Sequence, residues 1–440
     1  MKFGGKGMLT PTEEYQQKFI SISEALNHIK SGDEVVTAMA ASQPPGLLNA
    51  LGEKKEEVKD VKVITCLPLE AYSFYSQAGM EDSFTMESWF YGPHARKAAK
   101  EGRNVTYIPN HLHLASTRRF QYRTPDVFLG TATPMDKHGN FSLSLGITYE
   151  KDAIELADTV ILEINENLPR TYGDININIS QVDHLVENNT SLFTLPEIEP
   201  SELDHQIGGY IAELVENEST LQLGIGGIPN AVTKALETKK DLGIHTEMMT
   251  DGMVDLYYKG VITNHKKSIW KDKMIATFAY GSQKLYDFLD NNLGVEFQRG
   301  KIVNDPHVIG QNHKMVSINT ALQVDLTGQV CSESLGHSIY SGTGGQCDTA
   351  SGSQKSPGGK SIIALYSSVK DETISTIVPS LNQGAGVTLS RNDVDYVVTE
   401  YGVAPLRGRS IKERVENLIS IAHPNFREEL SSKAKHYGII

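Results

Sequence analysis

The glutamate at position 247 has the neighbours expected of a reactive carboxylate. Glu247 lies between His245-Thr246 and Met248-Met249, among apolar and small neighbours. A carboxylate in such surroundings is poorly hydrated and unusually reactive, although an ordinary surface or salt-bridged glutamate is the alternative on these residues alone. His245 and Glu247 also match the His-x-Glu of zinc deaminases. The Pro-Cys-x-x-Cys part of that motif does not follow, so no metal is expected.

A glycine loop, Gly224–Pro229, connects a predicted strand to a predicted helix. Glycines permit a tight turn and bring backbone N–H groups close to an anion, and the start of a helix adds a favourable partial charge. The spacing matches neither the dinucleotide-binding Gly-x-Gly-x-x-Gly nor the phosphate-binding Gly-x-x-x-x-Gly-Lys-Ser/Thr. The loop therefore either cradles an anion or is an ordinary tight turn.

A second glycine cluster lies within Ser341–Asp348 and contains Gly342, Gly344 and Gly345. Its backbone N–H groups could stabilise a developing oxyanion, and a flexible surface loop is the alternative. The stretch that follows, Thr349–Lys360, is polar and rich in glycine. This composition predicts a mobile flap or loop.

Asn319 lies inside a predicted strand, between Ile318 and the small residues Thr320 and Ala321. A buried amide must find hydrogen-bond partners. We therefore expect Asn319 either to tie two backbone segments together or to face a ligand.

The elements that must position these residues alternate between strand-like and helix-like segments. This alternation predicts an α/β architecture with mainly parallel sheets. Buried strands are predicted at Glu34–Met39, Val61–Thr65, Val105–Ile108, Val127–Ala132, Thr159–Glu163, Leu221–Leu223, Met274–Ala279, Val316–Leu322, Ser361–Leu365, Ile374–Val378 and Tyr396–Thr399. Helices are predicted at Ser23–Lys30, Tyr91–Glu101, Ile207–Val215, Asn230–Leu236 and Ile411–Ile421.

The chain is expected to form two similar halves. A strand, a loop of small residues and a proline-started helix recur after Glu34–Met39 and after Leu221–Leu223, although any two βα units share this likeness. The polar, proline-flanked stretch Leu195–Glu202 is the best candidate for a hinge. We therefore predict one α/β domain over residues 1–198 and a second, which carries Glu247, over residues 199–440.

Composition narrows the class of protein. The 440 residues include 41 Lys and Arg against 54 Asp and Glu, and a net charge of −13 argues against a nucleic-acid partner. A local basic excess in His94–Arg123 either attracts a phosphorylated ligand or is a solvated helix face or subunit contact. No apolar run approaches the roughly 20 residues of a membrane helix, and no secretory signal is evident. Three distant cysteines, Cys66, Cys331 and Cys347, favour a cytoplasmic enzyme.

Short motifs spread over nearly the whole chain occur in a recognisable order. They are Thr133–Asp136 with Gly139, Glu163–Asn165, Leu168–Thr171, Gly224–Pro229, Gly243–Met248, Asn319–Leu322, Gly344–Gln346, Val397–Ala404, Leu406–Gly408 and Ile421–Pro424. In this order they resemble the acetyl-CoA hydrolase/transferase family, and most closely its 4-hydroxybutyrate and butyrate–acetate CoA-transferase branch. So many ordered matches argue against chance.

The resemblance implies two similar α/β domains that meet at an active-site cleft, with Glu247 matching the catalytic glutamate. The residues then expected to contact CoA or an oxyanion are Gly224, Ile225, Gly226, Gly227, Ile228, Asn319, Gly342, Gly344 and Gly345. Cys347 and Thr349 stand where many relatives have Val and Phe in a Gly-x-Gly-Gly-Gln-x-Asp-Phe pattern. This departure leaves the glycine backbone intact but affects the expected shape of the acyl pocket.

The resemblance also implies ping-pong transfer of CoA between a short-chain acyl-CoA, such as butyryl- or 4-hydroxybutyryl-CoA, and a carboxylate such as acetate. Glu247 would form a mixed anhydride and then a glutamyl-CoA thioester, with oxyanions held by the backbone near Gly226, Gly227 and Gly344. CoA is the substrate and transient covalent partner, no metal, nucleic acid or membrane is expected, and the family suggests a homo-oligomer.

Three alternatives remain at this point. An acyl-CoA hydrolase that uses the same glutamate is the nearest. A nucleotide-dependent dehydrogenase is disfavoured by the spacing of both glycine loops. A non-catalytic CoA-binding protein is the third.

Overall fold

Two large β-sheets, each built from one half of the chain, organise the computed structural model, which describes residues 9–196 and 198–440. The sheet of the first half has seven parallel strands in the order Val105–Tyr107, Phe84–Ser88, Val61–Thr65, Glu34–Thr37, Val127–Ala132, Thr159–Ile164 and His184–Glu187. In its centre, Val35 lies opposite Val63 on one side and Val127 on the other. Such β-branched residues suit the central strands of a parallel sheet, which are buried on both faces.

The sheet of the second half has six strands, in the order Gly243–Ile244, Thr220–Leu223, Met315–Thr320, Lys360–Ala364, Tyr396–Thr399 and Gly402–Pro405. All neighbouring pairs are parallel except the last, which is antiparallel. Short strands form smaller pairs or triplets: Asn140–Ser142 with Asn176–Asn178, Met248–Met249 with Phe278–Ala279, Met274–Ala276 with Val295–Phe297, Gln323–Asp325 with Val330–Cys331 and Ile377–Val378, Ser334–Leu335 with Ser338–Ile339, and Ser368–Val369 with Ile374–Ser375.

The α-helices connect and cover these strands. They are Pro11–Lys18, Ile22–Leu26, Pro45–Leu51, Ser73–Ser76, Pro93–Lys100, Ala115–Tyr122, Glu150–Ile154, Glu202–Leu214, Gly227–Ala235, Asp251–Tyr258, Gln283–Leu289, Gly300–Val303, Pro306–Ile309, Gln346–Lys355, Ile411–Ile421 and Pro424–His436. Capping boxes start two of the longer ones, with Ser201 and Asp204 at the first and Ser410 and Glu413 at the second. None of the helices in the described part of the chain is long and apolar enough to cross a lipid bilayer.

One of the hydrophobic clusters is shared by the two halves. A single cluster of buried side chains extends from Val36 in the first sheet to Val398 in the second. Part of the second half also bonds directly to the backbone of the first: the Ile147 N–H donates to Thr277 O at 2.9 Å, and the Ala279 N–H donates to Leu145 O at 2.8 Å. The residues between the halves are therefore positioned by both sheets.

The predicted α/β class with mainly parallel sheets is confirmed. The prediction of a mobile flap at Thr349–Lys360 is wrong, because Gln346–Lys355 is a helix. Its polar residues are buried and paired: Ser317 Oγ lies 3.0 Å from Thr349 Oγ1, and Ser353 Oγ donates to Thr349 O at 2.8 Å. The division of the chain after residue 198, the homo-oligomer and the cytoplasmic location stay predictions.

Candidate active site

A cavity of about 270 Å³ lies between the two halves of the chain. Its volume is close to the lower end of the roughly 300–1,000 Å³ typical of small-molecule sites. The first half contributes a mainly apolar wall: Met39, Cys66, Leu67, Trp89, Phe90, Asn110, Leu112 and Ala115. The second half contributes Glu247, both glycine loops and several amide and hydroxyl groups. The cavity thus places one carboxylate opposite an apolar surface.

Glu247 is held at this cavity by its backbone. Its carbonyl oxygen accepts hydrogen bonds from the N–H groups of Thr277 at 3.0 Å and Phe278 at 3.2 Å. Two residues earlier, the ring of His245 lies in the core, with Nε2 2.8 Å from Val303 O. Burial lowers the pKa of His245 to about 3, so this histidine is uncharged near neutral pH.

The Glu247 carboxylate has hydrogen-bond donors but, within the described residues, forms no ion pair with a cationic side chain. Asn304 Nδ2 donates to Glu247 Oε2 at 2.9 Å, and the Gly345 backbone N–H also donates to this carboxylate. Burial raises the pKa of Glu247 to about 7; the bond from Asn304 opposes this rise, and the charge of Asp348 adds to it. The surroundings of Glu247 are thus poorly hydrating, whereas its catalytic role stays a prediction.

Gly345 lies directly against Glu247. A Cβ added to Gly345 would overlap both Glu247 Oε2 and Asn304 Nδ2, so only glycine fits this position without displacing the carboxylate. The preceding residue, Gly344, has a φ of +52°, a left-handed conformation that glycine adopts at little cost. The second glycine cluster therefore brings its backbone into contact with the candidate nucleophile.

The first half of the chain holds this glycine cluster in place. The Tyr91 N–H donates to Ser341 O at 2.8 Å, and the Leu112 N–H donates to Gly344 O at 3.2 Å. In the other direction, the Thr343 N–H donates to Tyr107 Oη at 2.9 Å. The cluster is not a free surface loop but a segment clamped across the cleft.

Gly342 adds a close approach to the same interface. A Cβ on Gly342 would collide with the carbonyl oxygen of Trp89 and lie 3.0 Å from Phe90 Cδ2. Both partners line the cavity from the opposite side. The predicted site residues Gly342, Gly344 and Gly345 are therefore all at the cavity wall.

A buried acid follows the cluster. Asp348, in the first turn of the helix Gln346–Lys355, has a side chain only 1% exposed. Its oxygens lie 3.0 Å from the His113 backbone nitrogen and 2.7 Å from His113 Nδ1. Burial opposes the charged form of His113, but the hydrogen bond and the charge of Asp348 outweigh it and raise the pKa of this histidine.

The first glycine loop reaches the cavity only in part. Gly224, Ile225 and Pro229 line it, whereas Gly226 lines a neighbouring cavity of about 150 Å³ that shares Ile225. The structure does not place Gly227 or Ile228 at either wall. The CoA contacts assigned to the residues of this loop stay predictions, as do those assigned to Asn319 and to the second glycine cluster, and Gly227 and Ile228 lie away from the cavity wall.

Two glycines of this loop, Gly226 and Gly227, have structural roles that do not depend on a bound anion. Gly226 has a φ of +117° and precedes the helix, which begins at Gly227, two residues before the proline expected to start it. A Cβ on Gly227 would collide with the carboxylate of Asp204. These two glycines serve a turn and a close contact with a neighbouring helix.

Asn319 has the structural role that its sequence suggested and also lies at the cavity. It is half-buried rather than fully buried, and it lines the cavity. Its Nδ2 lies 2.9 Å from Ser317 Oγ and 3.1 Å from Thr349 Oγ1. Asn319 therefore cross-links two elements and also lines the cavity, and its contact with a ligand stays a prediction.

Family models match the chain in two parts. A model described as the acetyl-CoA hydrolase/transferase N-terminal domain matches residues 7–196, and one described as the C-terminal domain of the same family matches residues 281–434. The chain belongs to the acetyl-CoA hydrolase/transferase family. The resemblance predicted from its motifs is confirmed.

Relatives of this family cover nearly the whole chain. A succinyl-CoA:cyclohexane-1-carboxylate CoA transferase from Geobacter metallireducens is 45% identical over 97% of this chain and 97% of its own length. A 4-hydroxybutyrate coenzyme A transferase from Clostridium kluyveri is 42% identical over 96% and 98%. The crystal structure of RipA from Yersinia pestis is 35% identical, covers 98% of this chain and 100% of its own, and superposes with a TM-score of 0.94. These relatives confirm the prediction of a CoA-transferase.

The sequence did not predict two residues that reach the site from distant parts of the chain. Asn304 contacts Glu247, and His113 contacts Asp348. Neither lies in a glycine loop or next to a predicted site residue in the sequence. The apolar wall from the first half was also missed, because its members come from separate loops at the ends of parallel strands. The carboxyl ends of such strands form the usual binding edge of an open α/β sheet, and this rule was the available signal.

Proposed function

We propose that this enzyme transfers CoA between a short-chain acyl-CoA, such as butyryl- or 4-hydroxybutyryl-CoA, and a carboxylate such as acetate, with Glu247 as the nucleophile. The observation that carries the proposal is the Glu247 carboxylate at the cavity wall, with two hydrogen-bond donors and a pKa raised to about 7. Burial removes water from this carboxylate, and the donors from Asn304 and Gly345 fix its orientation. Both properties favour attack on a carbonyl carbon.

The proposed reaction proceeds through two covalent forms of the enzyme. A Glu247 oxygen attacks the thioester carbonyl, the C–S bond breaks, and a mixed acyl-glutamyl anhydride and CoA thiolate result. The thiolate attacks the glutamyl carbonyl, the acid leaves as a carboxylate, and a glutamyl-CoA thioester remains. A second carboxylate attacks this thioester and reverses both steps, which yields the new acyl-CoA and free Glu247.

The chemistry of the intermediates explains why a carboxylate is required. An anhydride is at least as activated as a thioester, so the thiolate can re-enter, whereas a serine ester would be a thermodynamic sink. Each tetrahedral intermediate carries a negative oxygen. The donors from Asn304 and Gly345 already point to the glutamyl carboxylate, so they would hold the charge of the intermediate that forms at the glutamyl carbonyl.

The apolar wall supports a hydrocarbon acyl group as the first substrate. Met39, Trp89 and Leu112 face the cavity from the first half of the chain, opposite Glu247. An acyl chain bound there would bury apolar surface, at about 25 cal/mol for each Å² removed from water. It would also exclude the water that hydrolyses an anhydride.

The test combines the Glu247→Gln substitution with detection of the covalent enzyme. Glutamine keeps the size of the side chain but cannot attack as a carboxylate, so transfer from butyryl-CoA to acetate should fall by at least about a thousandfold. Wild-type enzyme incubated with butyryl-CoA should gain the mass of CoA on the peptide that contains Glu247. Borohydride should reduce this thioester.

Glu163→Gln is the matched control. Glu163 is a buried glutamate whose pKa, like that of Glu247, is raised by burial, but it accepts hydrogen bonds from Leu47 and Asn188 and does not line the cavity. This variant should keep transfer activity and the adduct. Full transfer activity in Glu247→Gln, or the lack of any adduct in active wild-type enzyme, would refute the proposal.

An acyl-CoA hydrolase that uses the same glutamate is distinguished by its acceptor. Consumption of butyryl-CoA is measured with and without acetate. A transferase consumes it faster with acetate and forms acetyl-CoA in equal amount. A hydrolase consumes it at the same rate in both and forms free CoA.

A further inference from the structure

Asp348 and His113 form a buried contact between the two halves at the edge of the candidate active site. Asp348 comes from the helix that starts after Gly345, and His113 comes from the first half. Two contacts join them: the His113 backbone N–H donates to Asp348 Oδ2 at 3.0 Å, and His113 Nδ1 lies 2.7 Å from Asp348 Oδ1. Both Asp348 oxygens are therefore engaged by one residue.

Few other charges reach this pair in the described residues. On the His113 side they are His111, whose Nδ1 lies 3.9 Å from Asp348 Oδ1, and Asp305, whose charge favours protonated His113. On the Asp348 side, Glu247 feels the charge of this aspartate, as do the thiol of Cys347 and the ring of His113. His111 is 47% exposed, so water screens its charge more strongly than that of His113.

We infer that His113 is a positioning residue for the proposed nucleophile: protonated, it compensates the charge of Asp348 and so keeps Glu247 ionised across the boundary between the halves. This inference rests on the proposed role of Glu247. The first half of the chain would then influence the ionisation of Glu247 as well as provide the apolar wall of the cavity. His113 does not line the cavity and, within the described residues, does not contact Glu247, so it would act through Asp348.

The direction of the effect follows from the charges. Ionised Asp348 repels ionised Glu247 and raises the pKa of Glu247. A positive charge on His113 offsets part of that repulsion. Removal of His113 should therefore raise the pKa of Glu247 further, whereas removal of the charge of Asp348 should lower it.

The experiment uses the pH dependence of kcat/KM for transfer from butyryl-CoA to acetate, because this ratio reports ionisation of the free enzyme. In the wild type, kcat/KM should rise with pH as Glu247 loses its proton near pH 7. In His113→Asn the rise should move to higher pH, and in Asp348→Asn to lower pH, each by on the order of one unit. The double variant should match Asp348→Asn, since His113 acts through that residue.

The substitutions keep the hydrogen bonds as far as the geometry permits. The Nδ2 of an asparagine at 113 occupies the place of His113 Nδ1 and can still donate to Asp348, and the Oδ1 of an asparagine at 348 can still accept. His111→Asn is the matched control, an exposed histidine near the same aspartate, and its profile should follow the wild type. Thermal unfolding of each variant shows whether it folds. If His113→Asn does not fold, the direction of the shift of the kcat/KM profile is tested with Asp348→Asn alone.

The outcomes separate this inference from the proposed function. Opposite shifts in the two single variants support the inference, because a merely structural defect would lower kcat/KM at every pH without moving the profile. Unmoved profiles, or shifts in the same direction, overturn it while the CoA adduct on Glu247 persists. A wild type that forms no adduct overturns the role of Glu247 and with it this inference.

Discussion

Each of the two glycine loops leads into a helix, but their glycines make different contacts. Gly345 directly precedes Gln346–Lys355, and a Cβ there would overlap the Glu247 carboxylate. Gly227 is the first residue of its helix, Gly227–Ala235, and a Cβ there would collide with Asp204 instead. One glycine makes room for the candidate nucleophile, and the other makes room for a neighbouring helix.

This difference shows that a glycine motif indicates a close approach but not the partner. The second loop is tied to the first half by backbone hydrogen bonds at Ser341 and Gly344. The first loop has its close contact within the second half, at Asp204. Substitutions in the two loops should therefore have different effects on turnover and on stability.

Among substitutions in and around the two loops, the largest effect is expected from Gly345→Ala. The added methyl group must displace the Glu247 carboxylate or the Asn304 amide, and a nucleophile misplaced by about 1 Å can cost a hundredfold in rate. We expect kcat to fall by on the order of 10²–10³ while the melting temperature changes little. Steady-state kinetics and thermal unfolding measure the two quantities.

Gly209→Ala is the control for that substitution. Gly209 lies inside the helix Glu202–Leu214 with no atom within 4 Å of an added Cβ. Alanine there should leave kcat unchanged and add about 0.5–1 kcal/mol of stability, because it lowers the entropy of the unfolded chain. A Gly345→Ala enzyme as active as this control would show that Gly345 does not set the position of Glu247.

A smaller loss is expected from Asn304→Ala. This change removes a donor 2.9 Å from Glu247 Oε2, and a hydrogen bond to a charged group contributes about 1.5–3 kcal/mol, or roughly ten- to a hundredfold in rate. Since Asn304 holds the pKa of Glu247 down, the pH at which activity rises should also increase. A pH series of kcat/KM measures both effects, and an unchanged profile would contradict the assigned bond.

The smallest effect on turnover is expected from Gly227→Ala. The methyl group displaces the Asp204 carboxylate, which accepts a hydrogen bond from Tyr366 Oη at 2.6 Å and caps its own helix at Ser201. Stability should fall by about 1–3 kcal/mol and kcat at 25 °C by less than tenfold. A loss of kcat as large as in Gly345→Ala with unchanged stability would instead place the first loop at the reacting atoms.

The bounds of several strongly apolar strands, and of one helix, could be predicted from the sequence. Val61–Thr65, Val127–Ala132 and Tyr396–Thr399 have the predicted bounds, as does the helix Ile411–Ile421, because burial and capping are local signals. The strand Phe84–Ser88 was missed, since its alternation of apolar and polar residues is short.

The site was only partly predictable from the sequence. Glu247 has apolar neighbours in the chain, and this local property predicted that its carboxylate is poorly hydrated. The helix Gln346–Lys355 has no apolar periodicity in its sequence. It contains Gly352, where an added Cβ would lie only 2.5 Å from Ile309 Cγ2, so the helix packs closely against Ile309 at this position. Its stability comes from close packing and buried hydrogen bonds with distant residues. Asn304 and His113 likewise depend on contacts that only the folded chain creates.

The hydrogen bonds that join Tyr91 to Ser341, Tyr107 to Thr343 and Leu112 to Gly344 hold the second glycine cluster against the first half of the chain. A motion that separated the two halves would have to break these bonds or draw the cluster away from Glu247. In the second case Glu247 would lose the Gly345 donor, so the proposed reactivity of this carboxylate would depend on contact between the halves.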